Sequence, residues 1–151
     1  MKKYIPIVAT LFVCFVFIQS LFFKFAGGAP EPAHIFGTLD EWAAGFGLGG
    51  WFANDGIFGR YAIGTVELIA STLLLLALLP AMRKLRPFGA LIGLGTMTGA
   101  IFFHLFTPLG IEVLGDGGTL FIMACITWLC CLYLLVTSRH LVLGGGTVAH
   151  A

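Results

Sequence analysis

Charge is what this sequence has least of. Only 10% of its 151 residues are Asp, Glu, Lys or Arg, against 59% hydrophobic, where a soluble domain carries roughly a quarter charged residues. So few charges leave too little polar surface to keep a packed domain of this length in water, and lipid becomes the expected solvent. No basic stripe is present, which removes nucleic acid as a partner. There is no CxxC either. Cys14, Cys125, Cys130 and Cys131 all fall inside apolar runs and read as small packing hydrophobes, since thiol exchange needs an accessible thiolate with a resolving partner. The chain also lacks a nucleotide loop, a GxSxG and a zinc motif, so hydrolytic, phosphoryl-transfer, nucleotide and metal chemistry have no sequence support.

What the sequence does have is four apolar runs, at about 4–24, 61–79, 87–106 and 118–137. Each is about 20 residues, or about 30 Å as a helix, enough to cross the hydrocarbon. Pro80, Pro87 and Pro108 stand at run boundaries, where helix chemistry tolerates proline. The first run follows Lys2-Lys3 but is longer than a signal-peptide h-region, so it is read as a span. The expected fold is all-α: a single membrane domain over residues 1–151, built as a four-helix bundle. The Gly144-Gly145-Gly146 tail is read as flexible.

Orientation follows from charge. Lys2, Lys3, Arg83, Lys84, Arg86 and Arg139 fall at the two termini and in the second-to-third connection, which four spans place on one side and the positive-inside rule makes cytoplasmic. Glu31, Asp40, Glu41, Asp55, Glu112 and Asp116 all lie in the two opposite connections. Both charge signs therefore predict cytoplasmic termini.

The outer connection, 26–59, is too long for a turn. Thr38-Leu39-Asp40-Glu41 fits a capping box, so a short interfacial helix is expected to start there, with Trp42 and Phe46 one turn apart on one face. Its aromatics, Trp42 and Trp51 among them, read either as a belt in the headgroups or as a lid over an outward-facing pocket.

Polar groups inside the spans are the candidate chemistry. Glu67 shares a stripe with Gly64 and Ser71; small residues mark membrane helix contacts, so the carboxylate is expected to point into the bundle. It either fixes packing or handles a ligand or proton. His104 ends a small-residue face of Gly89, Gly93, Thr96 and Ala100, and Gly95 and Gly99 add a second GxxxG spacing through which an oligomer is conceivable. With Glu67, His104 makes a candidate proton relay, imidazole titrating near neutrality. Lys24 closes the first run; snorkelling to the interface is the first expectation and pairing with Glu67 the second. Arg60 is expected to meet headgroups. Asp116 precedes Gly117-Gly118, where it can cap the fourth helix, with a ligand-binding role second. His34, His104, Glu67 and Asp116 have no spacing that supports a metal site.

Leu21-Phe22-Phe23-Lys24-Phe25-Ala26-Gly27, Gly64-Thr65-Val66-Glu67-Leu68, Phe88-Gly89-Ala90, Gly99-Ala100-Ile101-Phe102-Phe103-His104 and Asp116-Gly117-Gly118 together resemble the DoxX-like family of small four-helix membrane proteins. The resemblance covers most of the chain outside the outer connection, which is longer than the family's usual one, and the tail. It implies a bundle in the prokaryotic inner membrane. Some family members are subunits of thiosulfate:quinone oxidoreductase, and others are membrane partners of oxidative-stress proteins. The expected function is thus a redox-linked subunit binding a quinone or small sulfur compound near the outer face. In that reading Glu67 and His104 move the proton, Lys24 sets the local charge, aromatics such as Trp42 and Trp51 cover the site, and electrons come from an oxidoreductase partner or a diffusible quinone. The alternative is a non-enzymatic scaffold or small-solute/lipid carrier whose buried Glu/His pair only fixes packing.

Overall fold

A computed structural model describes residues 4–26 and 28–143. The glycine tail lies outside the described residues, as do Lys2 and Lys3. The chain is all-α: α1 (Ile5–Phe25), α2 (Pro30–Ala44), α3 (Arg60–Leu76), a 3₁₀ helix (Pro80–Leu85), α4 (Arg86–Phe106), α5 (Thr119–Ser138) and a single turn, α6 (His140–Leu143).

Three stretches are long and apolar enough to cross a membrane: Ile5–Phe25, Pro80–Phe106 and Thr119–Ser138, with mean hydropathies of 2.4, 1.6 and 2.4. Their outward faces explain why water is excluded as the solvent. On α1 the exposed side chains Val8, Leu11, Phe15, Ile18 and Phe22 recur every three or four residues, on the same helix that buries Val13 and Phe17 completely. A helix apolar on both its inner and outer faces belongs in lipid. α3 is shorter, at 17 residues, about 26 Å at the α-helical rise.

α1 packs against α3 and α5, and α4 packs against the same two helices. Neighbours run antiparallel. Gly89, early in α4, faces Ala70 and Leu74 late in α3, and Gly93 faces Cys131 late in α5 together with Phe17 of α1. A Cβ at Gly89 would stand 2.9 Å from Leu74 Cγ and 3.0 Å from the Ala70 carbonyl oxygen, and one at Gly93 would stand 2.8 Å from the Cys131 Sγ. These approaches are why glycine is there. The second GxxxG differs: nothing lies within 4 Å of a Cβ at Gly95, and at Gly99 only the next-turn Phe103 ring is reached. Among the described residues that pair makes no close contact with another helix.

The outer connection corrects the sequence reading. Its helix begins at Pro30, not after Thr38. Ala29 is extended at ψ 129°, as a residue before proline must be. Pro30 supplies a preset φ for the first turn, and Glu31 complements the positive helix end. Thr38 and Glu41 are therefore mid-helix, and the apparent capping box caps nothing. The buried residues Pro32, Phe36, Leu39 and Ala43 follow the helical period. Leu39 and Ala43 join Phe52, Leu109 and Val113 in a second small core against Phe103. The segment is thus a packed cap on one end of the helices.

These contacts set a contrast at two neighbouring glycine positions. Gly89→Ala should lower the thermal midpoint in mild detergent, at a cost of about 1–3 kcal/mol for overpacking. Gly95→Ala should leave it unchanged or raise it, by up to about 1 kcal/mol of helix propensity.

Candidate functional site

Lys24 is drawn inward and does not snorkel. Its Nζ donates to Glu67 Oε1 at 2.8 Å, to Glu67 Oε2 at 2.6 Å and to Ser20 Oγ at 2.6 Å. Three acceptors use all three ammonium protons. Ser20 reaches it because i and i+4 share a helix face. The pair is only 9% and 3% exposed for Lys24 and Glu67, and it ties the end of α1 to the second turn of α3. Glu67 lies on the stripe expected from Gly64 and Ser71. Gly64 is crowded by the Phe25 ring, and the Ser71 hydroxyl donates to the Glu67 carbonyl at 2.8 Å.

His104 is buried at the other expected position but is engaged elsewhere. Its Nδ1 lies 2.6 Å from the Gly110 carbonyl oxygen. A carbonyl only accepts, so Nδ1 carries the hydrogen and a neutral ring leaves Nε2 as its acceptor. The ring meets Phe121 edge-on at 5.6 Å. Among the described residues no hydrogen bond joins His104 to Glu67. The expected two-residue relay is not wired directly.

Asp116 does cap α5. Oδ2 accepts from Leu120 N at 2.8 Å, while Oδ1 accepts from Val113 N and Gly118 N, each at 2.9 Å. Desolvation works against the ionised carboxylate, but these backbone N–H groups and nearby His104 outweigh it and hold the pKa below the ordinary carboxylate value. Positive φ angles at Gly110, Gly115, Gly117 and Gly118 let the connection fold tightly enough to present them.

Trp42 and Trp51 meet in the cap. With Ala43, Phe46, Leu48, Phe52 and Phe58 they line an open, apolar hollow of about 440 Å³. Asp40 sets its shape, a role the sequence did not disclose. Its Oδ1 accepts from Gly50 N at 2.8 Å and Phe52 N at 3.0 Å, pinning the 45–58 loop to α2. The loop closes so tightly that a Cβ at Gly59 would stand 1.9 Å from the Ala53 carbonyl oxygen. Trp42 and Phe46 pack edge-on at 5.2 Å, as their spacing predicted, although Phe46 lies beyond the end of α2. Trp42 and Phe52 also touch Phe103, so the hollow rests on the end of α4, one residue from His104. His34 is exposed on α2, and among the described residues no three His, Cys, Asp or Glu side chains converge as metal ligands would.

Comparison with protein families, curated proteins and solved structures finds no match for this chain.

Two outcomes follow from this geometry. Lys24→Met or Glu67→Leu alone should each cost about 3–5 kcal/mol, because each strands a buried charge, while the double substitution should recover most of the loss. A double-mutant cycle of detergent unfolding measures the coupling. Asp116 has a depressed folded pKa, so its contribution is complete above the ordinary carboxylate value and is lost as pH falls through the folded one. Asp116→Asn should therefore flatten the acid limb of a stability-against-pH curve.

Proposed function

We propose that the chain is a multi-pass protein of the prokaryotic inner membrane. It has four spans, with α3 as the additional one, both termini in the cytoplasm and the cap outside. The cap holds the apolar part of a membrane amphiphile, which makes the protein a non-enzymatic carrier or scaffold. The hollow between Trp42 and Phe58 carries this reading: its open, mostly aromatic wall suits a hydrocarbon chain or ring better than a small polar sulfur compound. The acidic cap and the basic opposite end support the orientation.

The redox reading, a quinone-binding subunit of the DoxX-like type with an oxidoreductase partner, is the second. Five aromatic rings around the hollow, able to stack on a flat quinone ring, favour it. The carrier reading ranks first because Glu67 has both oxygens on Lys24 and His104 has Nδ1 on Gly110. In that reading the buried Lys24–Glu67 pair holds the helices together.

Titrating the detergent-purified protein with a short-chain benzoquinone and with a decyl amphiphile lacking the ring separates the two, read by tryptophan fluorescence. Both should bind with similar affinity, and Trp51→Ala with Phe58→Ala should weaken both. Binding of the quinone alone would move the assignment to the redox reading, and binding of neither would remove the hollow as a ligand site.

A further inference from the structure

The end of the molecule opposite the cap concentrates positive charge where a helix tolerates it least. Arg83 and Lys84 close the 3₁₀ helix, and Arg86 is the first residue of α4. The start of a 21-residue helix is the positive end of its dipole, and cations there are unfavourable unless an anion is present. α4 has no acidic residue in its first turn. Among the described residues none is nearby: all seven acidic side chains, from Glu31 to Asp116, lie in the cap connections or at Glu67.

The Arg86 guanidinium is also poorly satisfied. Its Nη2 makes one long bond, 3.4 Å to the Ala77 carbonyl oxygen, and its buried Nε has no acceptor among the described residues. More positive charge arrives from the far end of the chain, because α6 packs against the 3₁₀ helix and directly follows Arg139. Exposed Met82 and Leu79 on the same connection give an apolar flank beside the cations.

We propose that this end binds the headgroup of one anionic phospholipid, with Arg83, Arg86 and Arg139 around the phosphate and the acyl chains along the apolar helix faces. Guanidinium groups suit this, since their forked donors match phosphate oxygens. Basic pockets at the ends of membrane helices are the expected form of such a site. The inference rests on the membrane location of the chain and is independent of what the cap binds.

Native mass spectrometry of the full chain from mild detergent tests it, with phosphatidylglycerol and phosphatidylcholine offered at equal concentration. One phosphatidylglycerol should be retained in preference. Arg83→Gln and Arg86→Gln should each weaken retention by about fivefold, the value of one cation near an anionic surface. Arg60→Gln, at the cap end, should leave it unchanged. Arg83 is exposed, so its variant keeps the test readable if Arg86→Gln fails to fold. Equal retention of the two lipids, or an equal loss in Arg60→Gln, overturns the proposal. Displacement of the lipid by millimolar inorganic phosphate overturns the lipid as the ligand and leaves a free-phosphate site.

Discussion

In hydrocarbon a polar group has no water to fall back on, and the rest of this molecule is arranged around that constraint. The Lys24–Glu67 pair is where it acts most strongly. Two charges inside an apolar helix pair cost several kcal/mol each to desolvate, and their attraction compensates only when geometry and hydrogen bonding are complete. Here the ammonium spends every proton, on two carboxylate oxygens and Ser20. Such a pair permits one axial register of α1 against α3. Gly64, one turn from Glu67, lets the Phe25 ring lie close in that register. The smaller polar residues follow the same economy. Ser71, Thr72, Thr96, Thr98 and Ser138 return their hydroxyls to a carbonyl four residues back in their own helices. Thr10 and Thr127, fully buried without an acceptor among the described residues, bear a cost of about 1–3 kcal/mol each.

The cap obeys different rules. Its helix is amphipathic in the ordinary sense, its loop is held by a carboxylate on backbone N–H groups, and its core is a small aromatic cluster shared with the end of α4. A segment built this way can keep a hollow open, because Asp40 and the tight turn at Gly59 fix its walls from outside. The helical body has no comparable freedom, since close glycine contacts fill it from α3 to α5.

Sequence patterning disclosed the body far better than the cap, for physical reasons. Hydropathy over about 20 residues is a strong signal, so the four helices fall within a few residues of their expected limits. The small-residue stripe placed Glu67 inward correctly, because lipid penalises any other placement. Snorkelling is the first expectation for Lys24, because a lysine at a span end has an easy route to the interface, and only the fold reveals that a carboxylate lies nearer. Thr38-Leu39-Asp40-Glu41 failed because a local pattern competed with a stronger one, Pro30 with Glu31 eight residues earlier. Asp40 had no signal at all, since its partners lie ten and twelve residues away across a loop. His104 and Asp116 were each located, but the Gly110 carbonyl that holds the imidazole depends on left-handed glycines whose geometry a sequence does not specify.

Charge separation links these levels. Acids gather at the cap, and nearly all are used locally or left to solvent: Asp40 shapes the hollow and Asp116 starts α5. Bases gather at the other end, where among the described residues no carboxylate answers them. Among the described residues a single acid–base pair, Lys24 with Glu67, crosses that division, and it lies where α1 and α3 meet beneath the cap. The bundle is therefore neutralised internally at one end only. At the opposite end Arg83, Arg86 and the positive end of the α4 dipole have no carboxylate among the described residues, and the proposed lipid phosphate would do there what Glu67 does for Lys24.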